Sequence, residues 1–184
     1  MSAFRFEGCA IVSADGMLAD AAGVQPPGLL IEADQRFFES RLDAADLIVH
    51  GRNSIESQRN SPLRKRITAT RTIAGVEPDP RNPNGVLWNP QTAPFDQAAR
   101  DLGVEAGTVA VIGGTAIFDL FLDRYAAFWL SAAPQMRLPG GVPVFSGVPA
   151  STPAAILARH GLVEAETRLL DPAREVRVSK WIRA

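Results

Sequence analysis

The sequence predicts an α/β fold: a single three-layer domain over residues 1–184, with a mostly parallel central sheet flanked by helices and an antiparallel hairpin at its C-terminal end. Three observations lead to this fold class. Apolar segments with strand character alternate with segments at helix spacing, two of the apolar segments run straight into glycine turns, and two long strand-like segments close the chain. Strands that alternate with helices typically form a parallel sheet whose faces the helices cover.

The order of the elements follows from apolar periodicity and from turn residues. Phe37, Phe38 and Leu42 lie at helix spacing, for example, and Gly103 ends a later helical segment. The predicted strands are residues 4–12, 46–50, 66–73, 86–88, 109–112, 125–130, 161–170 and 174–182. The predicted helices are residues 32–44, residues 95–102 and a segment that begins directly after Gly114. A further helical turn is predicted to open at Gly51, and loops are predicted at 13–28 and 137–153.

Composition and charge exclude several classes of function. The net charge is −1, so no overall field attracts nucleic acid or an anionic membrane surface. No apolar run approaches the ~20 residues of a membrane span, and the first residues form no signal-type block, so we expect a cytoplasmic protein. His50 and His160 have no partner at metal-ligand spacing, and Cys9 lies in an apolar stretch. We therefore expect no metal site and assign the chemistry to a bound cofactor.

The segment "TVAVIGGTAIF", residues 108–118, places two glycines between a buried strand and a helix. The first N–H groups of a helix are unpaired, and its N-terminus carries partial positive charge. A turn at Gly113 and Gly114 exposes this backbone without Cβ atoms in the way, which suits a phosphate or pyrophosphate. The alternative is a tight turn in which glycine serves only the packing.

The segment "ADLIVHGRNSIES", residues 45–57, repeats this architecture with Gly51 after a second apolar strand. Arg52 can form two parallel hydrogen bonds to a phosphate, and Ser54 can complete the site. The alternative is that Ser54 is only a helix cap and that Arg52 is a solvated side chain. Two such turns in one small sheet favour a dinucleotide, which has several phosphates to hold.

Six segments taken together carry a family resemblance. In chain order they are "AIVSADGMLAD", "ADQRFF", "ADLIVHGRNSIES", "AVIGGTAIFDLFL", "FWLS" and "GGVPVF". With this order the chain resembles the dihydrofolate reductase superfamily. Within it, the chain is most similar to the reductase domain of the bifunctional riboflavin-biosynthesis deaminase/reductase. The resemblance covers almost the whole chain and implies a dihydrofolate reductase-like fold with NADPH as cofactor.

The resemblance also implies roles for individual residues. Those expected around the cofactor pyrophosphate are Gly113, Gly114, Thr115, Ala116 and Ile117. Those expected at the adenosine phosphates, including the 2′-phosphate, are Gly51, Arg52 and Ser54. Those expected beside the nicotinamide are Ala10 and the loop residues Asp15, Gly16 and Leu18. Asp34 and Ser131 fall where dihydrofolate reductases place the acid that binds the pterin ring and the hydroxyl beside that ring.

Asp34 has a chemical reason for this role, because a carboxylate can accept hydrogen bonds from two adjacent N–H groups of a pterin or pyrimidine. The alternative is an acid in the first turn of a helix, which the helix dipole favours. Phe37 and Phe38 can form a wall for the bound ring, although helical aromatic residues usually belong to the core. The cluster "RKRITATR", with Arg64, Lys65, Arg66 and Arg71, can bind a ribose phosphate or a glutamate tail or form a solvated edge.

The resemblance implies a reductase that moves a hydride from NADPH to a ribosylaminopyrimidine-like or pteridine-like substrate, as 5-amino-6-(5-phosphoribosylamino)uracil reductases do. The riboflavin-pathway enzymes usually carry a "DDP"-like stretch after the second turn, where this chain has "SQRNSP". The alternatives are a dihydrofolate reductase proper and an NADPH-binding protein without turnover. We also expect a homodimer, with no nucleic-acid or membrane partner.

Overall fold

The computed structural model of the chain describes residues 3–54 and 56–184. Within these residues, nine strands form one mixed sheet, two short strands form a second sheet, and four α-helices pack around them. The strands are β1 (Phe4–Ser13), β2 (Met17–Ala19), β3 (Leu47–Gly51), β4 (Arg66–Ala69), β5 (Val76–Pro78), β6 (Gly85–Trp88), β7 (Gly107–Val111), β8 (Tyr125–Ala133), β9 (Val142–Pro143), β10 (Leu162–Asp171) and β11 (Val176–Arg183). The helices are α1 (Glu32–Asp43), α2 (Phe95–Asp101), α3 (Thr115–Leu120) and α4 (Pro153–Arg159).

The main sheet confirms the predicted fold class. Its strand order is β10-β11-β8-β1-β7-β3-β4-β6-β5. The six strands from β8 to β6 in this order are all parallel to their neighbours. The hairpin of β10 and β11 joins β8 antiparallel at one edge, and β5 joins β6 antiparallel at the other. The carboxyl ends of the six parallel strands therefore share one edge of the sheet.

The core is built on alternating apolar residues of the parallel strands and on an aromatic cluster beneath them. The Phe6 ring lies 5.1 Å from Phe95 and 4.8 Å from Phe121, measured between ring centroids. Gly8 of β1 leaves room for Phe128, because a Cβ on Gly8 would lie 2.2 Å from the Phe128 ring. This close packing fixes β1 against β8, which is the pair of strands beneath helix α1.

Most predicted elements are present, but several boundaries differ. The strand predicted over 66–73 ends earlier, at Ala69. Ala69 pairs with Trp88, the last residue of β6, so β4 has no partner residue on β6 beyond this point. The helical turn predicted at Gly51 is wrong: Gly51 still pairs with Ala69, and the chain then makes a turn closed by Ser54 N and the Gly51 carbonyl. Strands β2 and β5 are too short to show periodicity.

Helix α4 begins at Pro153, the last residue of the loop predicted over 137–153, and covers residues for which no element was predicted. Its start has a sequence signature, since Thr152 is the N-cap and accepts a hydrogen bond from Ala155 N, and Pro153 occupies the first turn. The glycine-rich composition before it concealed this signal. Within the described residues, no helix is long and apolar enough to cross a bilayer.

Candidate active site

A cleft of about 1250 Å³ opens at the carboxyl ends of the parallel strands. Its lining includes the second half of β1, the 18–30 segment, helix α1, the turns after β3 and β4, and the start of α3. In open parallel sheets, ligands bind at this edge, where successive loops diverge. Most of the predicted site residues line this cleft: Ala10, Leu18, Asp34, Gly51, Arg52, Ser54, Gly114, Thr115, Ala116 and Ile117.

Asp34 and Ser131 meet at one end of the cleft. Asp34 lies in the first turn of α1 and is 6% exposed, while Ser131 lies on β8 and is 2% exposed. The register of the parallel pair β1–β8 sets Ser131 opposite Ile11, which lines the cleft. The Ser131 hydroxyl donates a hydrogen bond to the Asp34 carboxylate. Burial raises the pKa of Asp34 from 3.8 to about 6, although this hydrogen bond lowers it.

The surroundings of Asp34 explain this pKa. Ile11, Leu29 and Phe38 line the same part of the cleft and offer no charge to offset the loss of water. Phe37, by contrast, packs against Trp129 at 5.4 Å between ring centroids and does not line the cleft within the described residues. Of the two aromatic residues predicted to form a wall for the bound ring, Phe38 lines the cleft and Phe37 does not, within the described residues.

The two glycine turns are bonded to each other. Gly51 N donates to the Gly113 carbonyl at 2.6 Å, and the peptide bond between Gly113 and Gly114 is cis. A Cβ on Gly114 would lie 3.2 Å from Ser54 Oγ, so a side chain there would narrow the gap between the turns. Gly113 has a φ of +107°, and a Cβ there would lie 2.9 Å from the Phe118 ring. Gly113 therefore serves the backbone and the packing, whereas Gly114 keeps the cleft open.

The side chains around these turns differ in what they offer. Arg52 and Arg71 are exposed, line the cleft and make no hydrogen bond or ion pair within residues 3–54 and 56–184. Thr115 also lines the cleft, but its hydroxyl proton is donated to the Pro143 carbonyl. Arg71 was predicted only as part of a basic cluster that binds a ribose phosphate or a glutamate tail or forms a solvated edge. Its position shortly after the parallel strand β4 is the signal that places it at the cleft.

Asp15 and Gly16 lie outside the cleft, unlike Leu18 of the same loop. The Asp15 carboxylate accepts hydrogen bonds from Ser13 Oγ at 2.6 Å and from Leu138 N at 3.0 Å. Gly16 has a φ of +83°, and a Cβ there would lie 2.8 Å from Val148. In this structure the two residues hold the loop against the 138–148 segment, and their predicted place beside a nicotinamide stays a prediction.

In the basic cluster at 64–66, Lys65 is exposed, Arg64 and Arg66 are buried, and none of the three lines the cleft within the described residues. Arg64 and Arg66 have side chains that are 6% and 5% exposed, and both pair with Glu56. Arg64 also pairs with Asp43 at the end of α1, at 2.6 Å. Sequence reasoning did not single out Glu56, which lines the cleft and pairs with both of these cations.

No family model and no curated sequence matches the chain. Solved structures do match it, and they establish the class of fold: the chain has a dihydrofolate reductase-like fold. A proposed riboflavin biosynthesis protein from Shewanella sp. PV-4 is 17% identical with a TM-score of 0.65, over 98% of this chain and 99% of that one. Dihydrofolate reductase from Enterococcus faecalis, complexed with NADP(H) and RAB-propyl, is 12% identical with a TM-score of 0.65, over 97% and 96% of the two chains.

A third similar structure is the Thermotoga maritima diaminohydroxyphosphoribosylaminopyrimidine deaminase/5-amino-6-(5-phosphoribosylamino)uracil reductase. It is 13% identical with a TM-score of 0.65; the match covers 98% of this chain and 56% of that protein. At these identities the likeness establishes the fold and not the activity. It agrees with the family resemblance that the sequence motifs carry.

Proposed function

We propose that this protein is an NADPH-dependent reductase that transfers a hydride to a pteridine-like or ribosylaminopyrimidine-like heterocycle. The observation that carries the proposal is the pair of Asp34 and Ser131 at one end of the cleft. A buried carboxyl with a pKa of about 6 is costly to keep in an apolar pocket. Such groups cluster at functional sites, because the same burial that destabilises the charge strengthens its bonds to a ligand.

The cleft has features that fit NADPH. A Cβ on Gly114 would lie 3.2 Å from Ser54 Oγ, so the space between the two turns exists because a side chain is missing there. Arg52 is exposed beside that space and is free, among the described residues, to pair with a phosphate. When bound, NADPH supplies the hydride.

The sheet order supports one orientation of the bound molecules. Asp34 lies at the start of α1, which packs on β1, and its partner Ser131 lies on β8, while Arg52 and Arg71 follow β3 and β4. Strand β4 lies three positions from β1, which is about 14 Å at the usual spacing of strands. This is the scale of a dinucleotide laid along the edge, with its phosphates near Arg52 and Arg71 and its redox ring near Ala10.

The chain's own groups then have simple tasks. Asp34, once ionised, accepts hydrogen bonds from adjacent ring N–H and amino groups and orients the heterocycle. Ser131 holds the carboxylate in position. The apolar side chains of Ile11, Leu29 and Phe38 exclude water from the ring. Because the pKa of Asp34 is about 6, its carboxyl is mostly ionised at neutral pH and can exchange a proton close to the ring as the pH falls toward that value.

The test is a paired assay of the purified protein. NADPH binding is titrated by fluorescence, and the loss of NADPH absorbance is followed with dihydrofolate, dihydropterin and ribosylaminopyrimidine substrates. We expect binding and turnover with at least one heterocycle. Binding without turnover on any of them would identify a nucleotide-binding protein, and failure to bind NADPH would refute the proposal.

A further inference from the structure

The two edge strands of the main sheet differ in what they offer to another strand. Strand β5 has three residues, and its last residue is Pro78, which has no N–H group to donate. Strand β10 has ten residues and no proline. Within the described residues, no segment pairs with the outer side of β10, so its outward N–H and carbonyl groups have no partner in the chain. A row of such groups can accept a further strand, and β10 is the edge that presents one.

Neither face of β10 is covered along the middle of the strand. Successive side chains of a strand point to opposite faces, yet the seven consecutive residues from Val163 to Leu169 are all exposed. The residues that are buried or half-buried lie at the two ends of the strand, at Leu162, Leu170 and Asp171. The middle of β10 therefore leaves room on both faces for the side chains of a neighbouring strand.

The side chains at the centre of β10 complement a second copy of the same strand. Arg168 Nε lies 3.3 Å from Glu166 Oε1, so these two charges share one face. Thr167 points to the other face, where its hydroxyl donates to Glu164. When a second β10 runs antiparallel with Thr167 opposite Thr167, each Glu166 lies opposite an Arg168 of the other copy. Residues that lie opposite each other in an antiparallel pair share a face, and opposite charges there stabilise the pair.

The same charges disfavour the neighbouring registers. A shift that keeps the two faces aligned moves the centre of the pair by one residue. The centre then falls on Glu166, which sets Glu166 against Glu166, or on Arg168, which sets Arg168 against Arg168. Like charges directly opposite each other are destabilising, so the charge pattern of β10 selects the register centred on Thr167.

The regular part of β10 coincides with this centre. The two irregularities in its pairing with β11 fall between Glu164 and Glu166 and between Leu169 and Asp171. Bulges twist an edge strand and limit its pairing, so the contact between two copies is confined to a short segment around Thr167. We expect such a contact to be reversible and to dissociate on dilution.

We propose that β10 is the docking edge for a second copy of this chain, and that two copies join their main sheets through antiparallel β10 strands. The twofold axis passes beside Thr167, so the same residues serve both copies. The partner is a second copy because the charge pattern that fits Glu166 and Arg168 is that of β10 itself. Within the described residues β10 does not line the cleft, so this inference does not depend on the reaction proposed above.

A charge swap across the twofold axis tests this docking edge. Sedimentation velocity of the full chain over a range of concentrations gives the dissociation constant of the dimer. Arg168→Glu sets a carboxylate opposite each Glu166, and Glu166→Arg sets a cation opposite each Arg168, so either variant should weaken the dimer at least about tenfold. The double variant Glu166→Arg/Arg168→Glu restores opposite charges in both pairs and should return the dissociation constant to within about threefold of the wild-type value.

The variants are designed to keep the fold of the single chain. The side chains of Glu166 and Arg168 are 51% and 50% exposed, so their replacement should leave the core intact, and circular dichroism checks this. Arg81→Glu is the matched control, because it makes the same change of charge at an exposed residue near the opposite edge strand, β5. This control should dimerise as the wild type does.

The outcomes are distinct. Weaker dimers in both single variants and recovery in the double variant support the docking edge. The mass of a single chain at every concentration up to about 1 mM would overturn it and would show that the charges and bulges of β10 protect the edge from pairing. A dimer that Arg168→Glu leaves unchanged, or that the double variant does not restore, would place the contact elsewhere and also overturn it. Assemblies larger than two chains would contradict it as well, since a twofold contact closes on itself.

Discussion

The Ser131 hydroxyl donates a hydrogen bond to the carboxylate of Asp34, which joins strand β8 to the first turn of helix α1 across one end of the cleft. Both residues are almost fully buried, at 2% and 6% exposure. Their separation of 97 positions along the chain means that only the tertiary fold can bring them together.

Replacing Asp34 with Asn should remove turnover while NADPH still binds. The amide keeps the size of the side chain, but it sets an NH₂ donor against a donor of the heterocycle and removes the charge. Hydrogen bonds to charged groups contribute about 1.5–3 kcal/mol each, so loss of the pair should lower kcat/KM at least about a hundredfold. NADPH affinity should change less than about twofold, which is well under the 1.4 kcal/mol of a tenfold change. The reason is that the residues proposed to hold the cofactor, Arg52 and Gly114, lie on other turns of the cleft. Near-normal turnover would return Asp34 to the role of a helix-start acid.

The same variant should stabilise the fold at neutral pH. Because the pKa of Asp34 rises from 3.8 to about 6, the folded protein binds this proton more tightly than the unfolded chain. The stability that this proton contributes is fully present below pH about 4 and is lost as pH rises through about 6. The free energy of unfolding of Asp34→Asn should therefore exceed that of the wild type by on the order of 2–3 kcal/mol at pH 8. This gain in stability should disappear near pH 4.

Urea unfolding of the two proteins at a series of pH values measures this difference. Glu105→Gln, an exposed acid outside the cleft, is the control for removing one carboxylate from the chain. A stability gain that is the same at pH 4 and pH 8 would show that Asp34 is not held at a raised pKa.

The fold and much of the site were accessible from the sequence because the signals are local. Each glycine turn follows directly on a buried strand, so its place at the carboxyl edge follows from the parallel sheet alone. Asp34 and Ser131 were found through the family resemblance, and the fold brings them together. Helix α4 had its cap and proline in the sequence, at Thr152 and Pro153, within a stretch whose glycines suggested a loop.

The parts that could not be predicted depend on contacts between distant segments. Arg64 and Arg66 look like solvated cations in sequence, and only the fold reveals that Glu56 and Asp43 neutralise them. The family resemblance places Asp15 beside the nicotinamide, and this place stays a prediction. The hydrogen bond that its carboxylate accepts from Leu138 N joins residues 123 positions apart, so no local pattern in the sequence could reveal it.

Side chains of increasing size at Gly114 should close the cofactor space in steps. Gly114 has a φ of −75°, which any residue can adopt, so the variants should fold. An alanine Cβ would lie 3.2 Å from Ser54 Oγ, a tight contact, and the two further methyl groups of valine would enter the space between the turns. We expect NADPH affinity to fall about tenfold in Gly114→Ala and beyond detection in Gly114→Val, since each methyl group that cannot be accommodated costs about 1–3 kcal/mol. Circular dichroism checks the fold, and normal NADPH binding by the valine variant would leave packing as the reason for the glycine.

Arg52 should set the preference for NADPH over NADH. Its guanidinium group is exposed at the cleft and has no partner among the described residues, so a 2′-phosphate can pair with it without breaking an existing contact. Loss of a charge-assisted contact costs about 1.5–3 kcal/mol, or roughly ten- to hundredfold in affinity. Arg52→Gln should weaken NADPH binding by this factor and leave NADH binding nearly unchanged, with Arg59→Gln, outside the cleft, as the control. Equal affinities of the wild-type protein for both cofactors would exclude this role.

The buried ion pair beneath the cleft should matter far more for stability than a surface pair of the same chemistry. Arg66 and Glu56 have side chains that are 5% and 4% exposed, whereas Arg36 and Glu32 are 76% and 79% exposed. Replacing Arg66 with Met removes the cation and leaves a buried carboxylate with one partner fewer, which costs about 3–5 kcal/mol. Replacing Arg36 with Met breaks an exposed helix pair worth about 0.3–0.5 kcal/mol. Urea unfolding of both variants gives the comparison directly.

A similar small loss of unfolding free energy in both variants would mean that Arg64 alone compensates the charge of Glu56. The double variant Arg66→Met/Glu56→Gln would then be no more stable than Arg66→Met, whereas an uncompensated Glu56 predicts that the double variant regains part of the lost stability.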